Sequence, residues 1–159
     1  MKHFLLAGAL LGLLQISAFA GDRESGESHD SIEGTWIAQL ADPSGALSLF
    51  EVGSFSPDGS YTGANTNGLH SAHKGVWLRT GHRQYTMTIL FFTHDGQGVF
   101  NGIIKARLYI NVAKDGNSYD SLAERIVMDT HGNVLSITPN IAGHSVRMNV
   151  ELPQYLPPQ

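Results

Sequence analysis

Apolar and polar residues alternate along several stretches of this sequence. In residues 103–112 the even positions are apolar, and Lys105, Arg107 and Asn111 stand between them. Residues 84–93 and 144–152 alternate in the same way. A period of two places successive side chains on opposite faces of a β-sheet, one dry and one wet. The pattern therefore predicts antiparallel β-strands.

Short turns containing glycine after a polar residue separate the alternating stretches. Glycine adopts the positive φ that tight hairpins require. The predicted strands lie at about residues 33–40, 46–55, 59–65, 73–80, 84–93, 99–113, 117–129, 132–138 and 142–152. Since a meander of this length exposes its edges unless it closes, we expect an all-β fold: a single antiparallel up-and-down β-barrel of about eight strands. A β-sandwich is the alternative.

The first 20 residues are typical of a secretory signal peptide. Lys2 precedes an apolar segment at residues 4–14, and Ala18 and Ala20 form the small-residue pattern of a cleavage site. The apolar segment is shorter than the about 20 residues of a transmembrane helix. We therefore expect a secreted or periplasmic protein with no membrane span after cleavage. The predicted organisation is a signal peptide (1–20), a disordered polar linker (21–31), a β-barrel domain (32–152) and a proline-rich tail (153–159).

Composition excludes several classes of protein. Without cysteine, a hydrophobic core rather than disulfides must hold the domain together. The net charge is −4 and the basic residues do not cluster, which argues against a nucleic-acid partner. The glycines serve turns, and neither a phosphate-binding loop nor a nucleophile motif is present, so we expect no cofactor. Oligomeric state stays open.

An ordered set of short motifs resembles a known family. The set comprises GTW at 34–36, FSPDGSYT at 55–62 and GVWLRTGHRQY at 75–85. It resembles the lipocalins and the wider calycin-type barrels, and in particular small exported lipocalin-like proteins, most of them uncharacterised. The resemblance implies that Trp36 closes one end of the barrel and that a basic residue of the last strand, here Arg147, packs on its ring.

The resemblance implies structural roles for five residues: Gly34, Trp36, Gly75, Trp77 and Arg147. Because Arg147 alternates with apolar residues, we place it on the polar face of the last strand. Contact with Trp36 would then require its side chain to reach round the barrel floor.

Three ionisable residues are in phase with apolar neighbours on predicted strands: His144, Glu124 and Glu51. A carboxylate on a dry face is costly unless it is paired, so each is either a cavity group or paired structurally. These three are weak candidates for acid–base catalysis. Arg107 or Arg125 can instead pair with one of the carboxylates.

His70 and His73 are spaced three residues apart in a predicted loop. A metal site needs three or four ligands with fixed geometry, and a loop does not fix it. We therefore favour solvated turn histidines and predict no metal site.

The predicted interior face supplies the candidate walls of a binding pocket: Tyr85, Met87, Phe91, Leu108 and Met148. Our first hypothesis is an exported barrel that binds a small apolar or amphipathic molecule, since a mostly apolar cavity is the usual ligand site. The second is a cofactor-free isomerase, cyclase or lyase that uses a cavity histidine and glutamate. The third is a filled barrel that acts through its surface. Whether the protein is an enzyme at all is therefore open.

Overall fold

A computed structural model describes residues 30–41 and 47–151, and within them the chain forms one closed antiparallel β-barrel. The strands are β1 (Gly34–Ala41), β2 (Leu47–Phe55), β3 (Ser60–Asn65), β4 (His73–Gly81), β5 (Gln84–His94), β6 (Phe100–Val112), β7 (Ser118–Met128) and β8 (Val134–Arg147). Each strand pairs with the next, and β8 pairs with β1. The predicted eight-stranded meander is confirmed. The predicted signal peptide and proline-rich tail lie outside the described residues.

The last strand differs from the prediction of two strands at 132–138 and 142–152. One strand, β8, runs through the region with a bulge near Pro139 and Asn140, where its register against β7 shifts. Proline cannot donate to the ladder, and Asn140 has φ 59°, a left-handed conformation that asparagine tolerates. The bulge adds a residue without ending the strand, so the inward positions change parity there.

The core lies inside the barrel and follows the predicted alternation most clearly on β5. Tyr85, Met87, Ile89 and Phe91 are buried, whereas the threonines between them face outward. Their neighbours in the core include Trp36, Phe55, Tyr61, Ile110, Val112 and Tyr119. Aromatic rings thus fill much of the interior.

Trp36 closes one end of the barrel, which we call the tryptophan end; it also carries loops 56–59, 82–83 and 113–117. The side chain is 1 % exposed, and its Nε1 donates to the carbonyl of Ile32 at 2.7 Å. Ile32 is fully buried, and the ring of Tyr119 packs edge-on against the indole at 4.8 Å. The segment before β1 therefore forms the floor of the barrel.

Arg147 fixes this floor by a more direct route than the sequence suggested. It pairs with Trp36 across β1 and β8, and its Cζ lies 4.2 Å from the indole centroid, a cation–π contact. Its guanidinium donates to three backbone carbonyls, those of Ser31, Glu33 and Gly116, at 2.6–2.7 Å.

The expectation that Arg147 must reach round the floor is wrong, because the polar face of β8 is its inner face. Ser145 is 2 % exposed, whereas Val146 and Met148 are 43 % and 55 % exposed. Polar groups are tolerated inside because they are bonded: Tyr119 contacts Ser145, and the floor carbonyls accept from Arg147.

The remaining structural candidates also lie in tight surroundings. Gly34 has φ 115°, and a Cβ there would lie 2.9 Å from an Arg147 nitrogen. A Cβ at Gly75 would lie 2.6 Å from the carbonyl oxygen of Thr88. Trp77 is partly buried, and its Nε1 donates to the carbonyl of Ser60 at 3.0 Å. Close packing explains each residue without reference to a ligand.

Candidate functional site

The other end of the barrel, the histidine end, carries loops 66–72, 95–99 and 129–133. Near it, five polar side chains form one connected cluster on the β2–β4 side of the interior. We call this the polar network: Glu51, Tyr61, Asn65, His70 and His73. Glu51 pairs with Asn65 across β2 and β3 and therefore shares its face, and His73 begins β4 in phase with Trp77. His70 lies in the loop between β3 and β4.

Glu51 is the centre of the polar network. Its Oε1 accepts from the Tyr61 hydroxyl at 2.6 Å and from Nδ1 of His73 at 3.0 Å. The side chains of Glu51 and His73 are only 8 % and 1 % exposed. A buried carboxylate is tolerated when donors bond it, and two donors bond Oε1 here.

Two glycines make room for this arrangement. A Cβ at Gly53 would lie 1.9 Å from the Tyr61 hydroxyl, and one at Gly63 would lie 2.8 Å from that hydroxyl and 3.0 Å from Oε1 of Glu51. A contact under 3.0 Å forces a shift of the neighbouring atoms. The phenol and the carboxylate therefore occupy the space that side chains would take at these positions.

Asn65 determines how the imidazoles bond. Its Oδ1 accepts from the backbone N–H of Asn67 at 3.0 Å, which directs its NH₂ group at the two histidines. That NH₂ lies 3.2 Å from Nε2 of His73 and 3.1 Å from Nδ1 of His70. The tautomer of His73 that satisfies both contacts has its hydrogen on Nδ1, donates to Glu51 and accepts from Asn65.

His70 lies between two side-chain amides. The amide nitrogens of Asn65 and Asn67 lie 3.1 and 3.0 Å from its two ring nitrogens, so a neutral ring can accept from one of them and a protonated ring from neither. Burial lowers the pKa of His70, and the nearby His73 lowers it further. The ring also packs against Phe91, with centroids 4.8 Å apart.

Two tyrosines keep their protons in this interior. Burial raises the pKa of Tyr61 well above its usual range, and the charge of Glu51 raises it further. Burial also raises the pKa of Tyr119 to about 12. Tyr61 is thus a fixed hydrogen-bond donor to Glu51 rather than a proton source near neutral pH.

The wall opposite the polar network is built from small or apolar residues. Ala106, Leu108, Ala123 and Gly143 face inward by register on β6, β7 and β8, yet each is only partly buried. Small residues on an inner face fill less of a barrel interior than aromatic rings do. We call these four residues, across the barrel from the polar network, the small-residue wall.

Four of the five predicted pocket residues lie inside the barrel. Tyr85, Met87 and Phe91 are 3–7 % exposed, and Leu108 is partly buried against the core. The prediction that Met148 lines the interior is wrong, since it follows the end of β8 and is 55 % exposed. The parity of β8 explains the error, because its apolar positions after the bulge face outward.

The three catalytic candidates do not meet. Glu51 lies inside, but His144 bonds Asp120 at 2.8 Å on the outer face, with side chains 54 % and 82 % exposed. Glu124 pairs with Arg107 on the outer face of β6 and β7. The placement of His144 and Glu124 on the interior face is therefore wrong, and the structural pairing with Arg107 is found instead.

Sequence reasoning missed the role of His73. The expectation of a solvated turn histidine is wrong here, since the residue is 1 % exposed. The alternation along β4 could have indicated it, because His73 lies four residues before Trp77 and therefore on the same face of the strand. Tyr61 and Asn65 are likewise in phase with each other on β3, so alternation places both on one face of that strand.

Among the described residues, no group of three or more His, Cys, Asp or Glu side chains is arranged to hold a metal ion.

Comparison with models of known protein families gave no match, and comparison with curated proteins gave none either. Within residues 30–41 and 47–151, no helix has the length and apolarity required to span a bilayer.

Proposed function

We propose that this protein is an exported lipocalin-like barrel that binds a small amphipathic molecule between the polar network and the small-residue wall. One observation carries the proposal: a buried Glu51–His73 pair faces inward-pointing side chains that keep solvent exposure. Binding sites of this kind combine an apolar lining with a few fixed polar groups.

The polar network suits recognition of a ligand's polar group. Glu51 uses Oε1 for both Tyr61 and His73, and no described residue bonds Oε2. A hydroxyl or amine of the ligand can donate to that oxygen. Because glycines and ring contacts hold the network in place, the polar group would meet a preorganised acceptor.

A second candidate function is proton transfer by Glu51. The observation in its favour is the buried carboxylate–imidazole pair, an arrangement used in acid–base catalysis. Against it, Nε2 of His73 is engaged by Asn65, so only Glu51 would present a free atom to a substrate. Recovery of a chemically altered molecule after incubation would favour this candidate over simple binding.

Native mass spectrometry of the protein purified from its own source tests the binding proposal. We expect a mass above that of the polypeptide, with the excess lost on denaturation. The bare polypeptide mass under gentle conditions, together with no uptake of small amphipathic probes, would contradict it.

Export is a separate part of the proposal and is tested separately. N-terminal sequencing of protein from the periplasm or the medium should begin at Gly21, directly after the predicted cleavage site. Recovery only from the cytoplasm with Met1 intact would overturn it.

A further inference from the structure

The outer surface of the barrel changes character toward the histidine end. In that half of β5 to β8, the outward side chains are mostly apolar, and strand pairing brings them side by side. We call this surface the outer apolar face; it comprises Phe92, Phe100, Ile103, Ile126, Met128 and Ile137. Toward the tryptophan end, the same strands instead carry ion pairs outside, such as Arg107 with Glu124.

Strand pairing makes the outer apolar face continuous. Phe92 of β5 pairs with Ile103 of β6, and Ile103 pairs with Met128 of β7. Ile126 of β7 pairs with Ile137 of β8. Side chains that lie directly opposite each other on one face of a sheet are close enough to interact. The face therefore extends across four strands.

In the β7–β8 hairpin, the usual polarity of a barrel is inverted. The inner positions include Arg125, Ser136 and Thr138, whereas the outer positions include Ile126 and Ile137. An antiparallel sheet normally turns its apolar side toward a core and its polar side toward water. The inversion indicates that a second surface covers the outside of this hairpin.

Much of the outer apolar face is open to solvent in the single chain. Phe92 and Ile137 are 46 % and 55 % exposed, and Leu135, two residues before Ile137 on β8, is 65 % exposed. Contiguous apolar patches of this kind mark interaction sites in soluble proteins. Four strands over about five residues cover about 300 Å² of sheet plane. With the side chains that project from it, two copies would bury on the order of 1,000 Å², the lower limit of a specific interface.

The two ends of the outer apolar face carry opposite charges. Lys74 and Lys105 flank Leu90 at the end nearer the middle of the barrel. Asp95 and Asp129 lie at the hairpin tips, where their carboxylates accept amide N–H groups of their own turns. Within the described ranges, none of these four charged groups forms an ion pair. A surface with lysines at one end and aspartates at the other is complementary to its own copy in the reverse direction.

We propose that two copies of this chain form a dimer by packing their outer apolar faces together. A two-fold axis runs across the strands in the plane of the interface, so that the strands of the two copies are antiparallel. The lysine end of each copy then meets the aspartate tips of the other, and the contact closes on itself. The inference goes beyond the proposed ligand site, which lies inside the barrel, and does not depend on it.

Sedimentation equilibrium of the full mature chain, repeated with matched variants, tests the apolar contact. The double variant Phe92→Ser/Ile137→Ser removes two exposed side chains from the face. Its control, Leu78→Ser/Tyr109→Ser, removes two side chains that are 57 % and 70 % exposed elsewhere on the outer surface. Circular dichroism checks that each variant folds.

We expect the unaltered protein to have the mass of a dimer, with a dissociation constant in the micromolar range because the interface is small. F92S/I137S should dissociate at least about tenfold more readily, since it loses apolar area at the centre of the contact. The control should dimerise as the unaltered protein does.

Charge variants test the antiparallel arrangement. Lys105→Glu should weaken the dimer about tenfold, because it places like charges together at both ends of the contact. Lys114→Glu, in a loop at the tryptophan end, should not. Asp95→Asn/Asp129→Asn keeps the turn acceptors and removes the tip charges. An equimolar mixture of this variant with K105E should associate more tightly than K105E alone.

Four results would overturn the inference. A monomer at all concentrations would remove the dimer, and a monomer that cosediments with phosphatidylcholine vesicles would assign the face to a bilayer. A dimer that F92S/I137S leaves intact would place the contact elsewhere. A dimer that is weakened by F92S/I137S and unaffected by K105E would overturn the antiparallel arrangement. A small molecule retained per chain in native mass spectrometry reports on the proposed function separately from each of these.

Discussion

The tryptophan end and the histidine end of the barrel are both polar inside, but their polar groups are used differently. At the tryptophan end, Trp36 and Arg147 bond to the backbone carbonyls of the floor. At the histidine end, Glu51 and His73 bond side chain to side chain, and Arg125 has no bonded acceptor among the residues described. The first arrangement closes the barrel, whereas the second leaves polar atoms available to a ligand.

This difference distinguishes buried polar groups that stabilise the barrel from buried polar groups that are available to a ligand. Groups that satisfy the chain's own backbone should matter mostly for stability. Groups that bond one another beside a wall of small residues should matter mostly for the ligand.

Truncation of Trp36 should have the largest effect on stability. Trp36→Ala removes the buried indole and its bond to Ile32, and we expect a loss of about 3–5 kcal/mol in the free energy of unfolding. Urea denaturation measures it. Tyr109→Ala, at a ring that is 70 % exposed on the outer face, is the control and should change stability little. A loss below about 1 kcal/mol for W36A would contradict the claim that the floor stabilises the barrel.

The next effect should come from Arg147. Lysine keeps the charge but cannot reach three carbonyls with a planar fork, so Arg147→Lys should destabilise by about 2 kcal/mol. Arg107→Lys, in an exposed ion pair, should cost less than about 1 kcal/mol. Equal costs in urea denaturation would show that the clamp on the floor contributes no more than a surface pair.

The histidine end should respond differently to the loss of a charge. Glu51→Gln keeps an acceptor for Tyr61 and His73, so we expect a loss of only about 1–2 kcal/mol. The same variant should retain less of the co-purifying molecule. Glu124→Gln, on the outer face, should change neither quantity appreciably. Full retention of that molecule by E51Q in native mass spectrometry would show that Glu51 does not contribute to binding.

High pH should weaken the barrel through Tyr119. Its pKa is raised to about 12 by burial, above the ordinary value of about 10, so the unfolded chain loses this proton first. The stability it contributes is complete below about pH 10 and is lost between about pH 10 and 12, at up to about 1.4 kcal/mol per pH unit. Tyr119→Phe should remove this part of the slope in alkaline urea titrations, and Tyr109→Phe should not. A slope unchanged by Y119F would contradict the assignment.

Acidification should have the smallest effect, through His70. Because burial lowers the pKa of this ring, its contribution to stability is present above about pH 6.5 and is lost as the pH falls through the lowered value. His70→Gln should flatten the pH dependence of stability below neutral pH, whereas His144→Gln, on the outer face, should leave it unchanged. A pH dependence that H144Q flattens and H70Q leaves unchanged would contradict the lowered pKa of His70.

The fold was predictable because hydrophobic alternation and glycine turns report local geometry. On β5, Tyr85 and Phe91 fall inside as their period requires. The faces of β7 and β8 were not predictable from polarity, since Ser145 and Arg147 are inside and bonded, while Val146 is outside. The site was half predictable: Glu51 was identified, but His73 was taken for a turn residue although Trp77 fixes its phase.

The proposal that small molecules enter beside the polar network is tested most directly by the imidazole resonances of the native protein. His70 and His73 face the proposed site, and His82 and His144 are exposed outside it. In ¹H–¹⁵N spectra of the side chains during titration with decanol, whose hydroxyl can donate to Glu51, we expect saturable shifts at His70 and His73 only. Saturable binding that leaves these two rings unmoved, or that shifts all four equally, would contradict the account.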